Sequence, residues 1–185
     1  MKNESSNMQN AHSLVRFFLP PKIVLPQAGD FANGELRPAS AGTGVVLEWM
    51  RAFYKEALFA DFDKDTGKTF PLFEKSGAKT LTGNCCGMAA SDEPPEEIVA
   101  EPPTLYIWHN EQPVAMGMLT QSEHECRINL IYVPPHFRGR GYGRAVVAAL
   151  AKKARTGGRL PVLRTSGGNV AAIAIYRSLG FEVAK

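Results

Sequence analysis

The chain has 185 residues, 44% hydrophobic and 21% charged, an ordinary balance for one globular domain, or one domain with an extra segment; two full domains are not expected. No run of about 18 apolar residues occurs, which argues against a transmembrane helix. The polar start Met1–Asn10 lacks the apolar stretch of a secretory signal, so a cytoplasmic protein is expected. A net charge of +3 is far short of a nucleic-acid coat, although Arg127, Arg138, Arg140, Arg144, Lys152, Lys153, Arg155, Arg159 and Arg164 gather late and acids gather in Ser91–Glu101. The three cysteines, with Cys85 and Cys86 adjacent, suit neither a disulfide framework nor a zinc site, so reduced thiols and no metal are expected.

Residues 1–33 read as an N-terminal arm, with Pro20, Pro21 and Pro26 and short β-like runs at Leu14–Leu19 and Ile23–Leu25. Between Val45 and Ala60 the apolar residues Val46, Trp49, Phe53, Ala57 and Ala60 recur every three or four positions, which predicts an amphipathic helix. Asp61–Thr69 reads as a polar turn and Pro71–Gly77 as a weakly signalled second helix. Gly83–Pro103, with four prolines and five acids, reads as a long loop with a short strand or turn at Ile98–Val99. Leu105–Trp108, Val114–Thr120 and Cys126–Val133 are apolar segments separated by turn-sized gaps, the pattern of an antiparallel meander. Pro134-Pro135 stops the third strand. A helix over Arg144–Arg155 buries Val146, Val147, Leu150 and Ala154 and closes at Gly157-Gly158. A strand at Leu160–Thr165 follows, then a helix over Val170–Leu179 with Asn169 as N-cap and Gly180 as its C-terminal stop. The fold class is mixed α/β (α+β), with helices packed on a central sheet.

Between strand and helix stands Val133-Pro134-Pro135-His136-Phe137-Arg138-Gly139-Arg140-Gly141-Tyr142-Gly143-Arg144. Its glycines let the backbone curl so that N–H groups converge at a helix N-terminus, where the macrodipole favours anions. Arg138, Arg140 and Arg144 offer charge-assisted donors at the rim, which suits a pyrophosphate. A dinucleotide fingerprint would need glycine where Arg144 stands. Gly67-Lys68-Thr69 imitates the end of a nucleotide P-loop, but Phe62 stands where that loop needs glycine. An RNA-binding Arg-Gly tract would be repeated in disordered sequence, whereas this one is single and flanked by folded elements, so no nucleic-acid partner is expected.

With these motifs in place the chain resembles the GNAT superfamily of acetyl-CoA-dependent N-acetyltransferases. The resemblance rests on Arg138-Gly139-Arg140-Gly141-Tyr142-Gly143 behind Val133-Pro134-Pro135, and on the later succession of strand Leu160–Thr165, Asn169, Tyr176 and Leu179-Gly180-Phe181. It covers Leu105–Phe181 well and Leu36–Ala60 loosely. It implies a mostly antiparallel central sheet flanked by helices over residues 34–185, and acetyl-CoA as cosubstrate without a metal. The implied acceptor is a primary amine on a small molecule or protein, with no membrane partner. By the same resemblance, backbone amides of Arg138, Gly139, Arg140, Gly141, Tyr142, Gly143 and Arg144 would bind the pyrophosphate, and the main chain of Ile131 and Val133 would pair with the pantetheine arm. Asn169 would bond the arm near its cysteamine end, or serve only as an N-cap. Tyr176 would donate a proton to the departing thiolate, or be only a core aromatic. The implied chemistry is direct attack of a neutral amine on the thioester, with a main-chain donor of the strand ending at Val133 stabilising the oxyanion.

No spacing singles out a base among Glu123, His124, Glu125, His109, Glu111 and His136, and a water relay would serve as well. Cys126 is disfavoured as a nucleophile because nothing fixes a His beside it. Relatives usually continue past Gly-Phe into further strands, whereas here only Glu182–Lys185 remain. Another chain, as in a homodimer, could supply the strand; the sheet could end short on an exposed edge; or activity could be compromised. Residues 1–33 resemble the tail of a preceding unit. A GNAT fold that only binds CoA or a protein partner is the alternative to an active enzyme.

Overall fold

The computed structural model describes residues 14–40, 42–57 and 101–184. In chain order these form β1 (Leu14–Phe18), β2 (Glu35–Ala39), α1 (Gly44–Ala57), β3 (Glu101–Asn110), β4 (Gln112–Gln121), β5 (Glu125–Tyr132), α2 (Tyr142–Thr156), β6 (Leu160–Ser166), α3 (Val170–Ser178) and β7 (Glu182–Val183). The predicted meander is present as β3, β4 and β5. Glu111, at φ 62°, makes the tight turn between the first two. β3 begins earlier than expected, at Glu101 rather than Leu105; its register shifts between Glu101 and Thr104, across Pro102 and Pro103, an irregularity of the kind that admits prolines. The expected polar turn over Asp61–Thr69, the helix at Pro71–Gly77, Cys85-Cys86 and the turn at Ile98–Val99 lie outside the described residues, as do the last residues of the helix expected to reach Ala60.

The strands form one sheet in the order β2-β3-β4-β5-β6-β1-β7, in which only β5 and β6 run parallel. Each face needs a cover, and the apolar stripes of the helices supply it. On one face α1 lays Val46, Trp49, Met50 and Tyr54, spaced as one helical stripe, against Leu105, Ile107, Met116, Met118, Leu130 and Tyr132. On the other, α2 buries Ala145, Val146, Val147, Ala148, Leu150, Ala151 and Ala154 against Tyr106, Trp108, Val114, Leu119 and Ile128, with Tyr176, Leu179 and Phe181 closing the far side. Small residues along α2 let it approach closely. At Gly117 of β4, an added Cβ would lie 2.7 Å from Leu150 Cδ1 and 2.8 Å from Ile131 Cδ1, so no side chain fits there.

The arm is a structural part of the sheet. β1 pairs antiparallel with β6 from Leu14↔Ser166 to Phe18↔Val162 and holds β7 on its outer side through Phe17↔Val183. Phe17 and Leu19 are fully buried. The strand beyond β6 therefore comes from the chain's own N-terminal segment. From β1 the chain crosses over α2 to β2 at the opposite edge. Arg155 of α2 clamps that crossing by donating to the carbonyls of Pro20 and Ile23, and Lys152 Nζ donates to Gln27 Oε1 at 3.0 Å. Trp108 Nε1 donates to the Asn33 carbonyl at 3.1 Å where the crossing ends.

Candidate active site

The site begins with a fault in β5. The β4–β5 register passes from Met118↔Asn129 to Met116↔Tyr132, three residues of one strand against two of the other, and Leu130 takes φ 49° to absorb the excess. That left-handed angle is strained for leucine and persists because both flanks are packed. The bulge switches faces. Cys126 and Ile128 point to the α2 side, whereas Leu130 and Tyr132 point to the α1 side and Ile131 and Val133 pack against the α2 side.

The same fault parts β5 from its parallel neighbour. Their pairing runs from Glu125↔Leu160 to Ile128↔Leu163 and stops, while β6 continues along β1 to Ser166. Past Ile128 the two strands diverge, and the β5 edge from Asn129 to Val133, which includes Ile131 and Val133, has no β6 partner. Main-chain groups on such an edge need hydrogen-bonding partners, and an extended amide chain can supply them.

The cleft leads to the glycine loop. A single turn of 3-10 helix, Pro135–Phe137, places Arg138 in extended conformation, and Gly139 and Gly141 take φ 76° and 84° before α2 starts at Tyr142. Left-handed residues in a tight turn fold amides into an anion-binding concavity, and the first amides of α2, from Tyr142, Gly143 and Arg144, lack intrahelical acceptors. A Cβ at Gly139 would meet nothing within 4 Å, so that side of the loop is open. At Gly141 it would lie 2.3 Å from the Phe31 carbonyl oxygen, so the arm buttresses the other side. At Gly143 it would meet Ile175 Cδ1 at 3.5 Å and Val133 Cγ2 at 3.6 Å, which brings α3, the end of β5 and the start of α2 together. Tyr142 is buried, and its hydroxyl accepts from Asn110 Nδ2 at 2.8 Å.

The three arginines take different roles. The Arg144 guanidinium lies 5.2 Å from the Phe31 ring centroid, and its Nε is buried with no hydrogen-bond partner among the described residues. A buried donor of this kind calls for an acceptor, and a phosphate oxygen fits. Arg140 lies over Phe137 at 5.9 Å. Arg138 is half-exposed: its Nε donates to the Val133 carbonyl at 2.9 Å and its Nη2 to Glu56 Oε2 of α1 at 2.5 Å. The sequence reading did not single out Glu56, since a helix carboxylate far away in the chain carries no local motif. Its Oε1 accepts from the Tyr132 hydroxyl at 3.3 Å. Burial, then the neighbouring Glu56 carboxylate, raises the Tyr132 phenol above its ordinary range.

Asn169 caps α3, its Oδ1 accepting from Ala172 N–H at 3.1 Å, and is otherwise exposed. Tyr176 lies in the same helix, almost fully buried, with Phe17 edge-on at 5.5 Å between centroids and Phe181 at 6.1 Å. Burial pushes its hydroxyl up to about 12. The candidate bases are scattered. Glu123, His124 and Glu125 lie at the closed end of the cleft, where Glu125 accepts from Arg16 at 2.5 Å. His109 lies near the end of β3, Glu111 in the β3–β4 turn, and His136 is exposed beside Phe137. Cys126 is buried in the core on the α2 side. Among the described residues no group of three His, Cys, Asp or Glu side chains converges on a metal position, and no helix is long and apolar enough to cross a membrane.

Comparison with known proteins bears on the family and the fold. The model of the Acetyltransferase (GNAT) family matches residues 47–181. An uncharacterized protein of Mycobacterium leprae is 43% identical over 58 residues, 31% of this chain and 16% of its own. Among solved structures, a putative GNAT-family acetyltransferase from Novosphingobium aromaticivorans superposes with a TM-score of 0.54 at 15% identity, over 93% of this chain and 60% of the other. A GNAT-family acetyltransferase from Colwellia psychrerythraea gives 0.52 at 15% identity, over 100% of this chain and 59% of the other. The chain thus spans less than two thirds of the length of these relatives.

Proposed function

Because the chain belongs to the GNAT acetyltransferase family, we propose that it moves an acetyl group from acetyl-CoA directly to a primary amine of an acceptor. The observation that carries this reading is the opening of β5 from β6 beyond Ile128↔Leu163, continuous with the loop at Gly139 and Gly141 and the start of α2. A pantetheine arm lies along Ile131 and Val133 as an added strand, and its diphosphate takes the amides from Arg138 to Arg144 together with the buried Arg144 Nε. The donor supplies a thioester. The nitrogen of the neutral amine bonds to the acetyl carbon, the C–S bond breaks as the tetrahedral oxyanion collapses, the nitrogen gives up one proton to water, and the thiolate takes one.

Tyr176 is the proton donor. A phenol, protonated at neutral pH at its ordinary value, can give its proton to a thiolate leaving into an apolar notch. Asn169 keeps its amide nitrogen for the arm while Oδ1 caps the helix. The chain acts in the cytoplasm without a metal, on a small-molecule or protein amine.

The test is calorimetric titration with acetyl-CoA, followed by release of free thiol with a panel of primary amines. Wild type is expected to bind and Gly139→Asp to lose binding, because its carboxylate enters the open side of the loop. Absence of binding by folded wild type would overturn the reading. Binding with no thiol released against any amine would leave a CoA-binding module in its place.

A further inference from the structure

α2 and α3 pack on one face of the sheet and α1 on the other. On the α1 face, beside the end of β5, the Arg138 guanidinium lies between a carboxylate and an aromatic ring, with its Nε on the Val133 carbonyl at 2.9 Å. One side of it bonds the Glu56 carboxylate at 2.5 Å, and its carbon lies 5.8 Å from the Tyr132 ring centroid. The Tyr132 hydroxyl holds the second carboxylate oxygen, and Trp49 braces the Tyr132 ring at 6.4 Å between centroids. A carboxylate beside an aromatic face is what recognises an ammonium or guanidinium group.

We propose that Glu56 and Tyr132 form the acceptor's cation subsite, which Arg138 fills until the CoA diphosphate draws it away. The acceptor class that follows is an amine carrying a second cationic group beside the reacting one. This rests on the acetyltransferase reading for its purpose, but not for its chemistry. The Arg138–Glu56 pair is held in solvent, at 49% and 44% side-chain exposure, and exposed ion pairs are weak. Arg138 is also the first residue of the glycine loop, so a dianionic diphosphate bound there competes directly for its guanidinium. Loading with acetyl-CoA thereby opens the place where the acceptor's charge docks.

Agmatine, whose guanidinium copies that of Arg138 and whose other end is a primary amine, is the probe. It is titrated calorimetrically into CoA-saturated wild type and Glu56→Gln, and, without CoA, into Arg138→Ala and the Arg138→Ala/Glu56→Gln double variant. Glu56→Gln is expected to weaken agmatine about tenfold on both backgrounds, and CoA-free wild type to bind it more weakly than Arg138→Ala does. A change under threefold on the Arg138→Ala background overturns the subsite. If CoA fails to bind the wild type, the acetyltransferase reading falls, while the CoA-free pair of variants still decides the subsite on its own.

Discussion

Truncating Phe17 to alanine tests whether the N-terminal arm belongs to the fold. Phe17 is 1% exposed in β1, opposite Leu163, with its ring edge-on to Tyr176 at 5.5 Å. Loss of the transferred surface and the cavity left behind costs about 3–5 kcal/mol for a buried phenylalanine, of which the aromatic pair accounts for about 0.5–1.5 kcal/mol. With a urea dependence of about 2 kcal/mol/M, the unfolding midpoint should fall by about 2 M at unchanged slope. Leu14→Ala on the same strand, 38% exposed, is the control and should cost under about 0.5 kcal/mol. If Phe17→Ala cost no more than the control, β1 would not be docked in solution, and the sheet beyond β6 would need another source. The variant also removes one wall around Tyr176, so turnover should fall more than acetyl-CoA affinity.

The remaining predictions concern the loop, the phenol and the clamp. Gly139→Asp should abolish acetyl-CoA binding and, at φ 76°, cost about 1–2 kcal/mol of backbone strain, whereas Gly141→Ala, with its Cβ also 2.3 Å from the Phe31 carbonyl, should destabilise by about 2–4 kcal/mol; equal stability of the two variants would contradict the buttress. Tyr176→Phe should lower turnover about a hundredfold or more while acetyl-CoA binding holds, and unchanged turnover would remove it from the mechanism. The Tyr176 phenol is raised from 10.0 to about 12, so the folded chain holds its proton more tightly than the unfolded chain. The resulting stability is complete below pH 10, is lost as pH rises toward 12, and amounts to about 3 kcal/mol. The wild-type unfolding free energy minus that of Tyr176→Phe should shrink across this window, and a constant difference would refute the burial argument. Arg155→Ala, which leaves the Pro20 and Ile23 carbonyls without their guanidinium, should cost about 1–3 kcal/mol by urea unfolding and expose the arm to limited proteolysis first.

Local signals in the sequence settled much of this protein. The meander, α2, β6 and α3 follow from strand alternation, helical spacing and the stops at Pro134 and Gly180, because each is decided by residues within one turn or one strand. The loop from Arg138 to Arg144 was legible for the same reason: only glycine takes Gly139 and Gly141 to positive φ cheaply, so the backbone geometry is written in the residue types.

What joins distant segments was decided by tertiary structure. Cys126, Ile128, Leu130 and Tyr132 alternate as though they shared one face, but the strained Leu130 splits them between two cores and opens the cleft. The polar–apolar period cannot register a residue that the opposing strand forces into a bulge. β1 was visible as a β-like run, yet its place between β6 and β7 depends on a crossing over α2 held by Arg155, Lys152 and Trp108. Glu56 meets Arg138 only because α1 and the glycine loop converge at the end of β5, across 82 positions of sequence. Side-chain chemistry and local backbone preference are properties of short segments; which charge faces which, and which strand fills a vacant edge, are properties of packing alone.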